Sequence, residues 1–166
     1  QSIFTDPANN PYYGHISHWD TSQVTNMVEL FKDNTSFNDE LTNWDTSNVT
    51  SMKGMFQGCA SFNKAINFNT SNVLTMQYMF ASCIVFNSTI NFSDTTSVNT
   101  MEGMFFNCRQ FNQSVSTLST NSVTNMYSMF ESCYNFDQSV SHFNTSSVNL
   151  MARMFVNCLV FDQNIR

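Results

Sequence analysis

The side chains most able to do chemistry in this sequence are five cysteines and three histidines. A thiolate can attack a carbonyl, form half of a disulfide or hold a soft metal. Cys59, Cys83, Cys108, Cys133 and Cys158 stand 24 or 25 residues apart, and no C-x-x-C occurs. A metal needs Cys or His converging on one point, and an evenly spaced ladder does not converge. The ladder therefore reads as structural, a column of buried thiols. The odd count leaves at least one thiol unpaired unless it joins another chain, and disulfides between adjacent coils are the alternative. His15 and His18 would share a metal at i, i+3 on a helix, but they lie just before Trp-Asp-Thr-Ser, in a stretch that reads as extended or looped. His142 is the third imidazole. Ser, His and Asp are present without a G-x-S-x-G nucleophile context. The four glycines form no phosphate loop. The expectation is a protein without catalytic residues, metal or cofactor.

Asparagine supplies a different chemistry. N-x-[ST] occurs at Asn34, Asn48, Asn69, Asn87, Asn91, Asn112 and Asn144, never with Pro in the middle. Such sites accept N-linked glycans on a secreted surface. A chain with 23 Asn, 22 Ser and 17 Thr also produces sequons by accident. Several are expected to carry glycan in a eukaryotic or eukaryotic-virus source, and none in a bacterial one. Asn91 and Asn144 sit in loop-like polar stretches and are the preferred candidates. Asn34 occupies the ladder position that Cys takes in the later repeats.

The elements that position these residues follow from internal repetition. Val24, Val49, Val73, Val98, Val123 and Val148 recur every 24 or 25 residues. Three residues on comes Met27 and its five equivalents, and after three more Leu30 or a Met, followed directly by Phe. The ladder position follows, then Phe37, Phe62, Phe86, Phe111, Phe136 and Phe161, each followed by Asn or Asp. An aliphatic residue closes each unit: Leu41, Ile66, Ile90, Val115, Val140 and Ile165. All 11 Met and all five Cys fall on these positions. No single unit can bury its own apolar face, but stacked units can. The spacing i, i+3, i+6, i+7 from Val predicts one or two helical or 3₁₀ turns. Asp, Thr and Ser before the Val would cap the helix start. The F-N-x-x-[LIV] stretch after the Cys predicts a short strand. The expected fold is an α/β repeat solenoid of about six 25-residue coils, each with a short parallel strand and a short helix, over residues 16–166. Residues 1–15 are expected to form an N-terminal extension or cap. At about 4.8 Å per coil the rod would be on the order of 30 Å long.

Composition removes several partners. Only 11% of residues are charged and the net charge is −6, against binding nucleic acid through phosphates. No apolar run approaches the roughly 18 residues of a membrane span. The chain opens at Gln1 with no signal peptide, which reads as a processed protein or a fragment.

The stretch "WDTSNVTSMKGMFQGCASFN" resembles the repeat of BspA-like leucine-rich-repeat surface proteins. It is more similar still to a variant known as a Mycoplasma-type repeat domain of unknown function. The resemblance runs from about Ile16 to Ile165. It implies a leucine-rich-repeat-like solenoid on a secreted or cell-surface protein, often adhesive, and supplies no catalytic residues. "FSDTTSV" and "LSTNSV" depart from the Trp-Asp-Thr-Ser run in the fourth and fifth units.

Two functions follow as expectations. The first is a non-enzymatic extracellular scaffold for adhesion, binding a protein or glycan through departures from the repeat such as Tyr78, Tyr127 and Tyr134. The second is a structural subunit that stacks head-to-tail with copies of itself into a surface filament or virion appendage. Seven acids against one Lys in residues 1–45, facing Arg153 and Arg166 at the other end, would suit that contact. Repeated Thr-Ser runs also suit ice binding, but a turn cap is their plainer use.

Overall fold

The computed structural model describes residues 14–165. The extension expected over 1–15 lies almost wholly outside these residues, as does Arg166.

The Val-x-x-Met-x-x-Met-Phe segment does not form a helix. Its backbone enters the left-handed region twice per repeat, four residues apart: at Glu29 and Asp33, at Tyr78 and Ser82, and at Arg153 and Asn157. A left-handed residue ends an α-helix. The segment is instead a train of short turns, closed by Leu30 N–H to Met27 C=O, Lys32 N–H to Glu29 C=O and Asn34 N–H to Phe31 C=O. The N–H groups of alternate residues leave the repeat. Met27, Glu29, Phe31 and Asp33 donate to the carbonyls of Ser51, Lys53, Met55 and Gln57 at 2.7–3.0 Å. The same four bonds recur at every step, ending with Met126, Ser128, Phe130 and Ser132 donating to Leu150, Ala152, Met154 and Val156. A left-handed non-glycine residue costs about 1–2 kcal/mol. Four inter-repeat bonds at about 1 kcal/mol each offset two such residues, and core burial is the surplus.

The expected α/β leucine-rich-repeat-like solenoid, with a helix and a strand in each coil, is therefore corrected. Among the described residues the one helix is a 3₁₀ turn, Ile16–His18. Asp20 and Asp45 were expected to cap helices, and Asn69 takes the same place in the third repeat. Their Oδ1 atoms accept the N–H of Ser22, Ser47 and Ser71 at 2.9–3.2 Å, closing turns that no helix follows. Among the described residues β pairing consists of isolated parallel bridges and makes no sheet. The main column of bridges joins Asn26, Ser51, Thr75, Thr100, Asn125 and Leu150, two residues after the repeat Val. The stretch after the Cys, where the strand was expected, contributes one bridge between Ile66 and Ile90. The physical reason is that i, i+3, i+6 apolar spacing fits both a helix and a train of turns. Hydrogen bonds to the next layer select the turns.

The molecule is thus a stack of six turn-built layers around a continuous core. Two columns of phenylalanine run through it. In the first, Phe31, Phe56, Phe80, Phe105, Phe130 and Phe155 follow at 5.4–5.8 Å between ring centroids. In the second, Phe37 to Phe161 follow at 5.7–5.9 Å. Near-parallel offset rings add about 0.5–1.5 kcal/mol per pair beyond burial.

Candidate functional site

Three polar ladders fix the layers and decide which side chains remain available. In the thiol ladder, Cys59, Cys83, Cys108, Cys133 and Cys158 each donate Sγ–H to a Phe carbonyl one layer back, at 2.9–3.0 Å. All five are free thiols. Burial pushes Cys59 up to about 12 and Cys158 up to about 11, and raises Cys83, Cys108 and Cys133 well above the ordinary thiol value. These thiols are held neutral and unreactive. In the second ladder, Thr21, Thr46, Thr70, Thr95 and Thr120 are buried and donate Oγ1–H to the carbonyl of Asp45, Asn69, Asp94, Ser119 and Asn144. The third ladder gives the Phe-Asn motif its physical role. Asn38 Oδ1 accepts Asn63 N–H, Asn63 accepts Asn87, Asn87 accepts Asn112, Asn112 accepts Asp137, and Asp137 accepts Asp162, all at 2.8–3.0 Å.

The departures from the repeat gather on one side. Tyr78 lies across the next layer, over Gly103, where φ is +54° and an added Cβ would run into its ring. Its hydroxyl donates to Glu102 Oε1 at 2.6 Å. Glu102 Oε2 accepts from Gln77 Nε2 at 2.8 Å and Asn125 Nδ2 at 3.0 Å. The carboxylate beside it pushes the Tyr78 phenol up to about 12. Further along, Glu131 binds Arg153 through both oxygens and accepts from Ser128 Oγ at 2.6 Å. The Arg153 guanidinium holds the Glu131 carboxyl below its usual value. On another row, Arg109 stands 5.6 Å over the Tyr134 ring. The cluster is an aromatic ring, a carboxylate and two amides spanning three layers, which can hydrogen-bond and stack on a polar ligand. Sequence reasoning reached Tyr78, Tyr127 and Tyr134 but missed Glu102 and Glu131. Each is an acid at a position where no other repeat carries one, and that departure was the available signal.

The remaining candidates are scattered. His15 Nδ1 lies 2.7 Å from Ser17 Oγ, and the His15 and His18 rings meet edge-on at 6.2 Å. His142 Nε2 contacts the Val115 carbonyl at 3.1 Å. Among the described residues no three His, Cys, Asp or Glu side chains come together as a metal site. No helix among them is long and apolar enough to cross a membrane. Of the sequon residues, Asn48, Asn69, Asn87, Asn91 and Asn144 are exposed, and Asn34 and Asn112 are half-buried. Asn48, Asn91 and Asn144 use Nδ2, the atom a glycan would take, to reach Ser22, Asn67 and Asn121.

The far end of the stack differs from its middle. Met151 is 45% exposed where Met52, Met76, Met101 and Met126 are fully buried, and Leu159 is 72% exposed. At the opposite end, Val24, Met27 and Leu30 line an apolar hollow with Trp19 and Trp44.

A family model described as "Mycoplasma protein of unknown function, DUF285" matches residues 2–94 and again 85–166. No curated protein and no solved structure matches the chain.

Proposed function

The chain belongs to this family, and from that premise we propose that it is a non-enzymatic extracellular or cell-surface scaffold that binds a protein or glycan through one side. The observation that carries this reading is the Tyr78, Gln77, Glu102 and Asn125 cluster on an otherwise repetitive polar face. A ring held by a carboxylate is pre-organised, so little side-chain entropy is lost on binding. The exposed sequons and the motif resemblance to BspA-like surface proteins support the extracellular placement. The test is binding to arrays of glycans and extracellular-matrix proteins, comparing the chain with Tyr78→Ala and Glu102→Gln. Binding that both substitutions abolish is the expected result. Binding equal in all three proteins, or none above an albumin control, would sink it.

A further inference from the structure

The cluster around Tyr78 has one polarity: three of its donors converge on the Glu102 carboxylate, and no countercharge joins them. From this we infer that the group it takes is a primary ammonium, the Lys head group of a partner protein; this deepens the binding reading above and rests on it.

Hydrogen-bond accounting sets the polarity. Tyr78 Oη gives its one proton to Glu102 Oε1 at 2.6 Å, while Gln77 Nε2 and Asn125 Nδ2 donate to Oε2 at 2.8 and 3.0 Å. The Tyr78 phenol, pushed up to about 12 by that carboxylate, keeps its proton at neutral pH. A carboxylate offers about four lone-pair sites, and a phenol oxygen accepts as well as donates. These three bonds leave an acceptor site on Glu102 Oε1 and the Tyr78 oxygen beside it. Charge points the same way. Among the described residues no Lys or Arg pairs with Glu102. Arg153 is bound to Glu131, and Lys53 holds the position of Glu102 two layers back, with Gln77 between them. A half-buried carboxylate without a countercharge attracts a cation more strongly than one in open water does.

The site also selects among cations. A guanidinium engages both carboxylate oxygens, as Arg153 does with Glu131. On Glu102 two amides already fill Oε2, so that fork cannot form. A primary ammonium is a compact charge whose donors need separate acceptors at short range. Glu102 Oε1 and the Tyr78 oxygen are such a pair. Aromatic rings complete the site. The Tyr78 ring is held across Gly103. Tyr127 takes the position of Glu102 one layer on, where its carbonyl accepts from Gly103 N–H at 2.8 Å, and it is half-buried. A ring face within about 6 Å of an ammonium adds cation–π attraction. A neutral saccharide gains nothing from a missing countercharge, so the geometry favours a protein ligand over a glycan.

The test is a chemical-shift titration of the Tyr78 and Tyr127 ring protons in the 166-residue chain. The probes are lysine blocked at its α-amino and carboxyl groups, the same molecule acetylated on Nζ, and methyl glucoside. Blocked lysine is expected to give saturable shifts, and the two neutral probes none. Glu102→Gln should weaken lysine binding at least about tenfold. Asp45→Asn removes the same charge elsewhere, and Asn69 shows that an amide still closes that turn, so it should leave binding unchanged. Equal shifts from the acetylated probe would overturn the proposal on the wild type alone, whether or not Glu102→Gln folds. An equal loss in Asp45→Asn, or saturable shifts from methyl glucoside only, would overturn it too. Array binding that Tyr78→Ala abolishes, with no response to blocked lysine, would overturn the ammonium and leave the scaffold reading standing. No array binding and no shift would overturn both.

Discussion

At the scale of the residue, chemistry is spent on structure. The thiols are donors to backbone carbonyls, and burial holds them protonated. Alkylation of this 166-residue chain at mildly alkaline pH, read by mass spectrometry, should therefore label Cys158 first, the half-buried member of the ladder. Cys83, Cys108 and Cys133 should label only after denaturant is added, and early labelling of Cys108 would contradict the ladder. The asparagine ladder makes a second prediction. Asn112 Oδ1 accepts from the Asp137 backbone at 3.0 Å and from Gln138 at 2.9 Å. Asn112→Ala should destabilise by about 1–3 kcal/mol in urea melts, since it strands a backbone donor between layers. Asn112→Asp should cost less, because Asp137 already accepts Asp162 N–H in the same way. The Phe-Asn motif was visible as a repeated pattern, but its purpose was not. An Asn after Phe can serve a turn, a glycan or a ladder, and only the residue one layer away distinguishes them.

At the scale of the element, the unit is a train of turns whose hydrogen bonds leave it. Such a unit has little stability alone, so the last layer depends on its side-chain ties to the layer beneath. Glu131 and Arg153 form one of them. The Glu131 carboxyl sits below its ordinary value of 4.5 because Arg153 and Ser128 hydrogen-bond its charged form. A depressed carboxylate contributes stability that is fully present above its unfolded value and is lost as pH falls through the folded one. Glu131→Gln should thus lower the melting temperature at neutral pH. The gap to wild type should close as the pH is taken below about 4. A gap that persists in acid would mean that the tie is not ionic. The apolar period of this element was legible, and so were its core residues, from Val49 through Met52 and Phe56 to Phe62. Its conformation was not, because the left-handed residues include Glu29, Tyr78 and Arg153, types that carry no local preference for that region.

At the scale of the whole molecule, cohesion runs along one axis. Far-ultraviolet circular dichroism should accordingly lack the helix band and show instead a weak, turn-dominated spectrum. A strong helix band would restore the helical reading of the Met-Phe segment. Stacking also explains why each interior layer needs a layer on both sides. Interior layers satisfy each other, while Met151 and Leu159 meet nothing comparable among the described residues.

The sequence by itself determined the period, the number of layers and the core positions. These follow from which side chains need burial, and a 25-residue repetition states that openly. Only the tertiary structure decided the backbone conformation, the direction of the hydrogen bonds and the meeting of Tyr78 with Glu102. Each of those depends on a partner 24 or 25 residues away in the next layer. Local propensity carries no record of that partner, since the same apolar spacing suits a helix bonded to itself and a turn bonded to its neighbour.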